Sequence, residues 1–263
     1  MSGRSLPRAS GRVNARVNGR ANVPRASRGA PAARARLREF ADAKRAAFVL
    51  GYFKTGPGQY GHGDRFLGVR VPDLHRVARE FRGLPLRSLQ SLLRSPWHED
   101  RLLSLLILVD RYERGDERVR AQVFRLYLAN TRRINNWDLV DSSAPEIVGA
   151  HLEQRSRTKL DSLARSRNLW ERRIAIVATH WFILDGEITT TLRIAERLLD
   201  DTHDLIHKAT GWMLREAAKR DRQGTERFLR KHQRQMPRTM LRYAIERFSA
   251  SERARYLRGT AVR

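Results

Sequence analysis

The sequence predicts an all-α protein, an α-solenoid of paired helices. Three observations carry that prediction. From Pro72 onward, apolar residues recur at spacings of three and four, the period of one helix face. Breaks rich in Gly, Pro, Ser and Asp divide the chain into roughly eleven or twelve segments of ~8–20 residues with short links. No stretch shows the period-two alternation of a half-buried strand. Helix pairs repeating every ~35–45 residues fit a solenoid, where each pair buries its stripe against its neighbours. A solenoid also has a concave surface, and arginine along it would make a basic groove suited to a duplex.

Residues 1–38 differ from the rest. They carry Arg4, Arg8, Arg12, Arg16, Arg20, Arg25, Arg28, Arg34, Arg36 and Arg38, and no acid before Glu39. Ser, Gly, Ala, Asn and Pro fill the gaps. Such a segment has too little apolar surface to fold alone and reads as a disordered basic arm. An arm that follows a phosphate backbone, an organelle transit peptide and an extension upstream of the true start all stay open.

Residues 39–54 carry apolar positions at helical spacing. Thr55-Gly56-Pro57-Gly58-Gln59-Tyr60-Gly61-His62-Gly63-Asp64 is a loop, with four glycines and a proline in ten residues. It lacks the Gly-Lys-Ser/Thr ending of a nucleotide P-loop, and no strand precedes it. Phe66-Leu67-Gly68-Val69-Arg70-Val71-Pro72 follows, with Pro72 suited to a first helical turn. The later stripes are Leu102/Leu105/Leu106/Val109, Val119/Val123/Leu126/Tyr127, Ile174/Val177/Ala178/Trp181 and Leu205/Ala209/Trp212/Met213. Breaks fall near Gly83–Pro85, Ser95–Pro96, Gly115, Thr131–Arg133, Ser166–Asn168, Asp185–Gly186, Asp200–Thr202, Gln223–Gly224 and Pro237.

Charge narrows the function classes. There are 53 Lys plus Arg against 28 Asp plus Glu, a net charge of +25. A field that positive favours a polyanion, nucleic acid before an anionic membrane. Arginine predominates over lysine, which suits planar, bidentate contact with phosphate. Cysteine is absent, so disulfides, thiolate metal sites and cysteine nucleophiles are excluded. This also fits a reducing compartment, and the expected location is the cytoplasm, beside the nucleoid. No run reaches the ~18 apolar residues of a membrane span.

The stretch with most chemistry is 134–147, Ile-Asn-Asn-Trp-Asp-Leu-Val-Asp-Ser-Ser-Ala-Pro-Glu-Ile. Trp137 and Asp141 lie four apart, one turn apart on one helix face. An indole face beside a carboxylate suits a cationic ligand. The rival reading is a buried Trp with Asp141 as a cap or an ion-pair partner to an arginine. In Asn168-Leu169-Trp170-Glu171-Arg172-Arg173-Ile174, two adjacent arginines cannot both face a core. A phosphate contact and a solvated pair are the two readings. In Lys208-Ala209-Thr210-Gly211-Trp212-Met213-Leu214-Arg215-Glu216, Gly211 costs about 1 kcal/mol against Ala in a helix. It would let a neighbouring helix or a ligand backbone come close, and Trp212 by itself reads as core. His203 and His207 lie four apart, but no Glu follows His203, so no zincin-type metal site is expected. His62 and His180 read as structural or exposed.

Taken together, these segments resemble the AlkD family of DNA glycosylases, DNA alkylation repair enzymes built from HEAT-like repeats. The resemblance spans about residues 40–245 and rests on Phe66-Leu67-Gly68-Val69…Pro72, Asn136-Trp137-Asp138-Leu139-Val140-Asp141, Trp170-Glu171-Arg172-Arg173-Ile174-Ala175-Ile176 and Gly211-Trp212-Met213-Leu214-Arg215-Glu216. It implies a solenoid of HEAT-like helix pairs over 39–263. The implied activity is hydrolysis of the N-glycosidic bond of cationic alkylpurines, N3-methyladenine and N7-methylguanine, in duplex DNA, without base flipping. It implies Asp141 as catalytic carboxylate, with Trp137 and Trp212 flanking the lesion's backbone and sugar. Arg173, Arg172, Tyr52, Lys54 and Arg215 would contact DNA.

The expected enzyme is a monofunctional, monomeric glycosylase acting on double-stranded DNA. No metal, nucleotide cofactor or membrane is expected. Two rivals are a non-catalytic binder of bent or branched DNA and a protein-interaction scaffold. Asp141 with two tryptophans favours the enzyme over the first, and the charge disfavours the second.

Overall fold

The computed structural model describes residues 29–259 of the chain. Fifteen α-helices make up its described part, and the only strand-like pairing there is an isolated bridge between Arg65 and Trp97. The α-solenoid expectation therefore holds. The segments are more numerous than expected because several are single turns.

The first finding corrects the boundary of the basic arm. Residues 30–38 form helix α1 (Ala30–Arg38), with Ala30, Ala33 and Leu37 buried. Pro31 stands in its first turn, where its missing N–H costs nothing. Arg36 pairs with nearby Glu39, but the other acids that balance its arginines lie far along the chain. Arg36 meets Glu80 at 2.9 Å, and Arg34 meets Asp100 at 3.3 Å. Local composition gave no sign of those partners. Residues 1–28, which hold the rest of the arm, lie outside the described residues.

Helix α2 (Ala43–Tyr52) starts at Asp42, whose side chain accepts from the Arg45 amide, so the helix read over 39–54 is shorter than expected. The glycine-rich loop follows. Then Phe66–Val69 runs extended under α2. Gly68 has φ +77°, and a Cβ there would strike the Asp42 carbonyl and the Ala46 amide, so only glycine lets α2 sit this close. Helix α3 (Val71–Glu80) takes Pro72 in its first turn, and α4 (Leu86–Leu93) and α5 (His98–Arg114) follow. Buried Glu99 of α5 accepts from the Leu67 and Gly68 amides at 2.8–3.0 Å and fixes the extended segment.

The rest is α6 (Glu117–Ala129), α7 (Trp137–Asp141), α8 (Thr158–Ala164), α9 (Leu169–Val177), α10 (His180–Leu184), α11 (Thr189–Arg197), α12 (Asp204–Ala218), α13 (Arg222–His232), α14 (Arg238–Ala244) and α15 (Ala250–Arg258). Helix α7 is one turn long because Pro145 has no N–H for the Asp141 carbonyl, and a π-turn, Pro145–Gly149, takes over. Helices α5, α7, α9, α12 and α14 pack one on the next in a continuous row. Helices α4, α8, α11 and α13 back that row. Tight approaches set the spacing. A Cβ on Gly149 would meet Ala178 and Trp181, and one on Gly211 would meet Met240 and Tyr243.

One expected break is misplaced. Gln223–Gly224 lies inside α13, and the chain turns instead at Lys219–Asp221, where Asp221 caps the Gly224 amide. A buried glycine within a helix and a glycine ending one look alike in sequence.

Candidate functional site

Three helices of the row begin on a side-chain cap. Asn136 caps α7, Asn168 caps α9 and His203 caps α12, each side chain accepting from a backbone amide just inside its helix. Those caps place Trp137 at the first residue of α7 and Asp204 at the first residue of α12. A pocket of about 500 Å³ opens between them.

Its walls are aromatic, with Tyr52, Tyr60, Trp137, Trp212 and Tyr243. Its cations are Lys54, Arg173, Lys208 and Arg215, and Asp204 is its one lining carboxylate. The Trp137 indole Nε1–H donates to the Tyr60 hydroxyl at 3.2 Å, and its ring packs 5.5 Å from Phe53 and 6.0 Å from Tyr52. Burial raises the Tyr60 pKa, so the hydroxyl keeps its proton at neutral pH. Trp212 is half-buried and tilted over His180 at 6.0 Å. Asp204, Lys208 and Trp212 fall four apart on α12 and share its pocket face, with the Lys208 ammonium 2.6 Å from Asp204.

Asp141 lies behind this lining. Arg173 of α9 holds its carboxylate with two bonds, Nε to Oδ1 at 2.8 Å and Nη2 to Oδ2 at 2.7 Å. The third guanidinium nitrogen donates to the Leu205 carbonyl at 2.7 Å. Burial pushes the Asp141 carboxyl pKa up, against the pull of Arg173. The Asp141 side chain keeps 18% of its surface exposed. The spacing argument for Trp137 and Asp141 on one face thus meets the ion-pair reading: Trp137 faces the pocket and Asp141 faces Arg173.

Beneath Trp137 is a buried charge cluster. His98 Nε2 bonds Asp138 at 2.7 Å, and its Nδ1 stands 3.8 Å from Asp64. Arg101 reaches Asp64 at 2.7 Å. Burial works against a charged imidazole, but Asp138 and Asp64 outweigh it and raise the His98 pKa to about 9. The cluster ties α5 to α7 and to the end of the glycine-rich loop.

The fold brings Tyr52, Lys54, Trp137, Arg173, Trp212 and Arg215 to this one pocket, with Asp141 behind it. It does not bring Arg172 there. The Arg172 guanidinium is 2.6 Å from Asp201 and donates to the Ser166 and Arg167 carbonyls, so it braces two inter-helix turns. Nor is Arg215 free, since it pairs with Glu246 and lies 3.6 Å from Glu216. Tyr60, Asp204, Lys208 and Tyr243 are lining residues that the sequence reading does not assign to the site, and His203 is weighed there only as a metal ligand. The four-residue spacing of Asp204, Lys208 and Trp212 was the available signal; Tyr60 and Tyr243 had none. Among the described residues no group of three His, Asp or Glu side chains stands close enough to hold a metal.

Comparison with known proteins agrees with this architecture. The sequence profile of the DNA alkylation repair enzymes matches residues 33–248. No curated protein matches the chain. Among solved structures, one described as a predicted DNA alkylation repair enzyme from Enterococcus faecalis superposes with a TM-score of 0.63 at 16% identity, over 80% of this chain and 97% of that one. At that identity the likeness speaks for the fold, and the profile match carries the relationship: this chain belongs to the family of DNA alkylation repair enzymes.

Proposed function

We propose that this protein is a monofunctional DNA glycosylase of the AlkD type, hydrolysing the N-glycosidic bond of cationic alkylpurines such as N3-methyladenine and N7-methylguanine. The observation that carries the reading is the convergence of Trp137 and Trp212 on one pocket with an arginine-held carboxylate, Asp141, at its back. In this reading Lys54, Lys208 and Arg215 hold phosphates, and the indole faces pack on the deoxyribose.

An alkylated purine already carries a positive charge and needs no strong general acid to leave. As the C1′–N bond breaks, positive charge moves to the sugar as an oxocarbenium-like centre. The Asp141 carboxylate, fixed in one orientation by Arg173, stabilises that charge and orients the attacking water. The base stays stacked, since the pocket is an open groove between helix ends. The partner is double-stranded DNA, met by a monomer without a cofactor, where the chromosome lies.

The test is release of free base from an N7-methylguanine duplex under single turnover, for wild type and Asp141→Asn. A loss of about 100-fold or more in the variant matches removal of a charge-stabilising group worth ~3 kcal/mol. No release by either protein, with tight and salt-sensitive binding by both, would replace the reading with a binder of DNA structure. Equal release by both would keep the enzyme and remove Asp141 from its mechanism.

A further inference from the structure

Among the described residues, α2 is the one long helix with no buried side chain. None of its ten residues is buried, and Phe48 and Tyr52 are 71% and 57% exposed. The two rings lie one turn apart, nearly parallel at 17°, with centroids 6.4 Å apart. Lys44 continues the same face one turn earlier. Neither Lys44 nor the neighbouring Arg45 has a carboxylate partner among the described residues.

The helix is nonetheless held in place at both ends. Asp42 donates its amide to the Leu67 carbonyl at 2.9 Å, and α2 rests on Gly68 with no room for a side chain between. At the other end Phe53 is buried against Phe66 and His98. An apolar surface fixed like this and left bare is costly in water unless something covers it.

We infer that the outward face of α2 is a second DNA-contacting surface, on which the duplex beside the pocket lies with Phe48 against its sugars and Lys44 and Arg45 on its phosphates. The inference rests on the reading of this chain as a DNA enzyme. Continuity supports it: Tyr52 borders both the 500 Å³ pocket and an apolar cleft of about 440 Å³ that Arg45 and Phe48 also line, and stands 6.0 Å from Trp137. Charge supports it too. Lys44, Arg45 and Lys54 make this flank positive, so a second copy of a chain with net charge +25 would meet like charge, while a duplex meets its complement.

The test compares wild type, Phe48→Ala, Lys44→Ala/Arg45→Ala and Leu184→Ala on an undamaged 20-base-pair duplex across a salt series. Leu184 is a control, 50% exposed on α10 and outside both cavities. Phe48→Ala should bind about tenfold more weakly, as expected for burying most of one phenyl ring. The double variant should lower the slope of log affinity against log salt by about 2. Leu184→Ala should match wild type. Wild-type binding by both α2 variants, while wild type itself binds duplex, overturns this surface and leaves the glycosylase reading intact. No duplex binding by wild type overturns both. Sedimentation showing a dimer that Phe48→Ala dissociates would assign the face to a second copy and overturn the inference.

Discussion

Arg173 on α9 and Asp141 on α7 face each other across a separation of 32 residues, joined by two hydrogen bonds of 2.8 and 2.7 Å. The pair is a structural brace and the centre of the candidate site together. It locks α7, a single turn cut short by Pro145, against α9, and it sets the orientation of the one carboxylate at the pocket's back.

Removing the arginine should therefore hurt folding before chemistry. Arg173→Ala leaves Asp141 buried and unpaired, a cost of about 3–5 kcal/mol. For a protein of this size that lowers Tm by roughly 10 °C. Thermal unfolding of the variant at neutral pH checks it. An unchanged Tm would mean that water replaces the guanidinium freely.

The same burial predicts an acid limb. In the proposed mechanism Asp141 acts in its charged form, and desolvation holds its pKa above the ordinary carboxylate value. Single-turnover base release should then fall as pH drops, and start to fall above the ~4 expected for a solvated Asp. A rate that is flat down to pH 4 would show that the charged form is not required.

His98 predicts a loss of stability on the alkaline side. Its folded-state pKa is about 9, raised above the ~6.5 of an unfolded histidine. The stabilisation is therefore complete below about pH 6.5 and disappears as pH rises through 9, leaving Asp64 and Asp138 balanced only by Arg101. The total is on the order of 3 kcal/mol. Denaturant unfolding from pH 6 to 9.5 should show it in wild type, and His98→Gln should flatten that part of the curve. A wild-type curve already flat there would mean that His98 is neutral.

Gly211 predicts a packing penalty without a change in chemistry. A methyl there would drive into the Met240 carbonyl and Tyr243 side chain of α14, since α12 and α14 touch backbone to side chain at this point. Gly211→Ala gains helix propensity of about 1 kcal/mol but loses about 1–3 kcal/mol or more to overpacking. The expected result is a lower Tm, read by calorimetry. A raised Tm would show that α14 moves aside cheaply.

Sequence by itself determined the helical class, most of the turns and part of the lining of the pocket. Helical spacing reports which face is apolar, and that depends on neighbours only three and four residues away. Trp137, Trp212 and Arg173 were legible because they stand in short motifs. Tertiary structure alone decided what faces what. It turned the last nine residues of the basic arm into a helix packed on the fold through Ala30, Ala33 and Leu37 and tied to Glu80 and Asp100, and gave Arg172 to Asp201 and Arg173 to Asp141. It also brought Tyr60 from a loop to the Trp137 indole across 77 residues. The reason is physical: an arginine's role is set by the nearest carboxylate in space, and in a solenoid that carboxylate can belong to another repeat, 29 residues away for Arg172, 32 for Arg173 and 44 for Arg36.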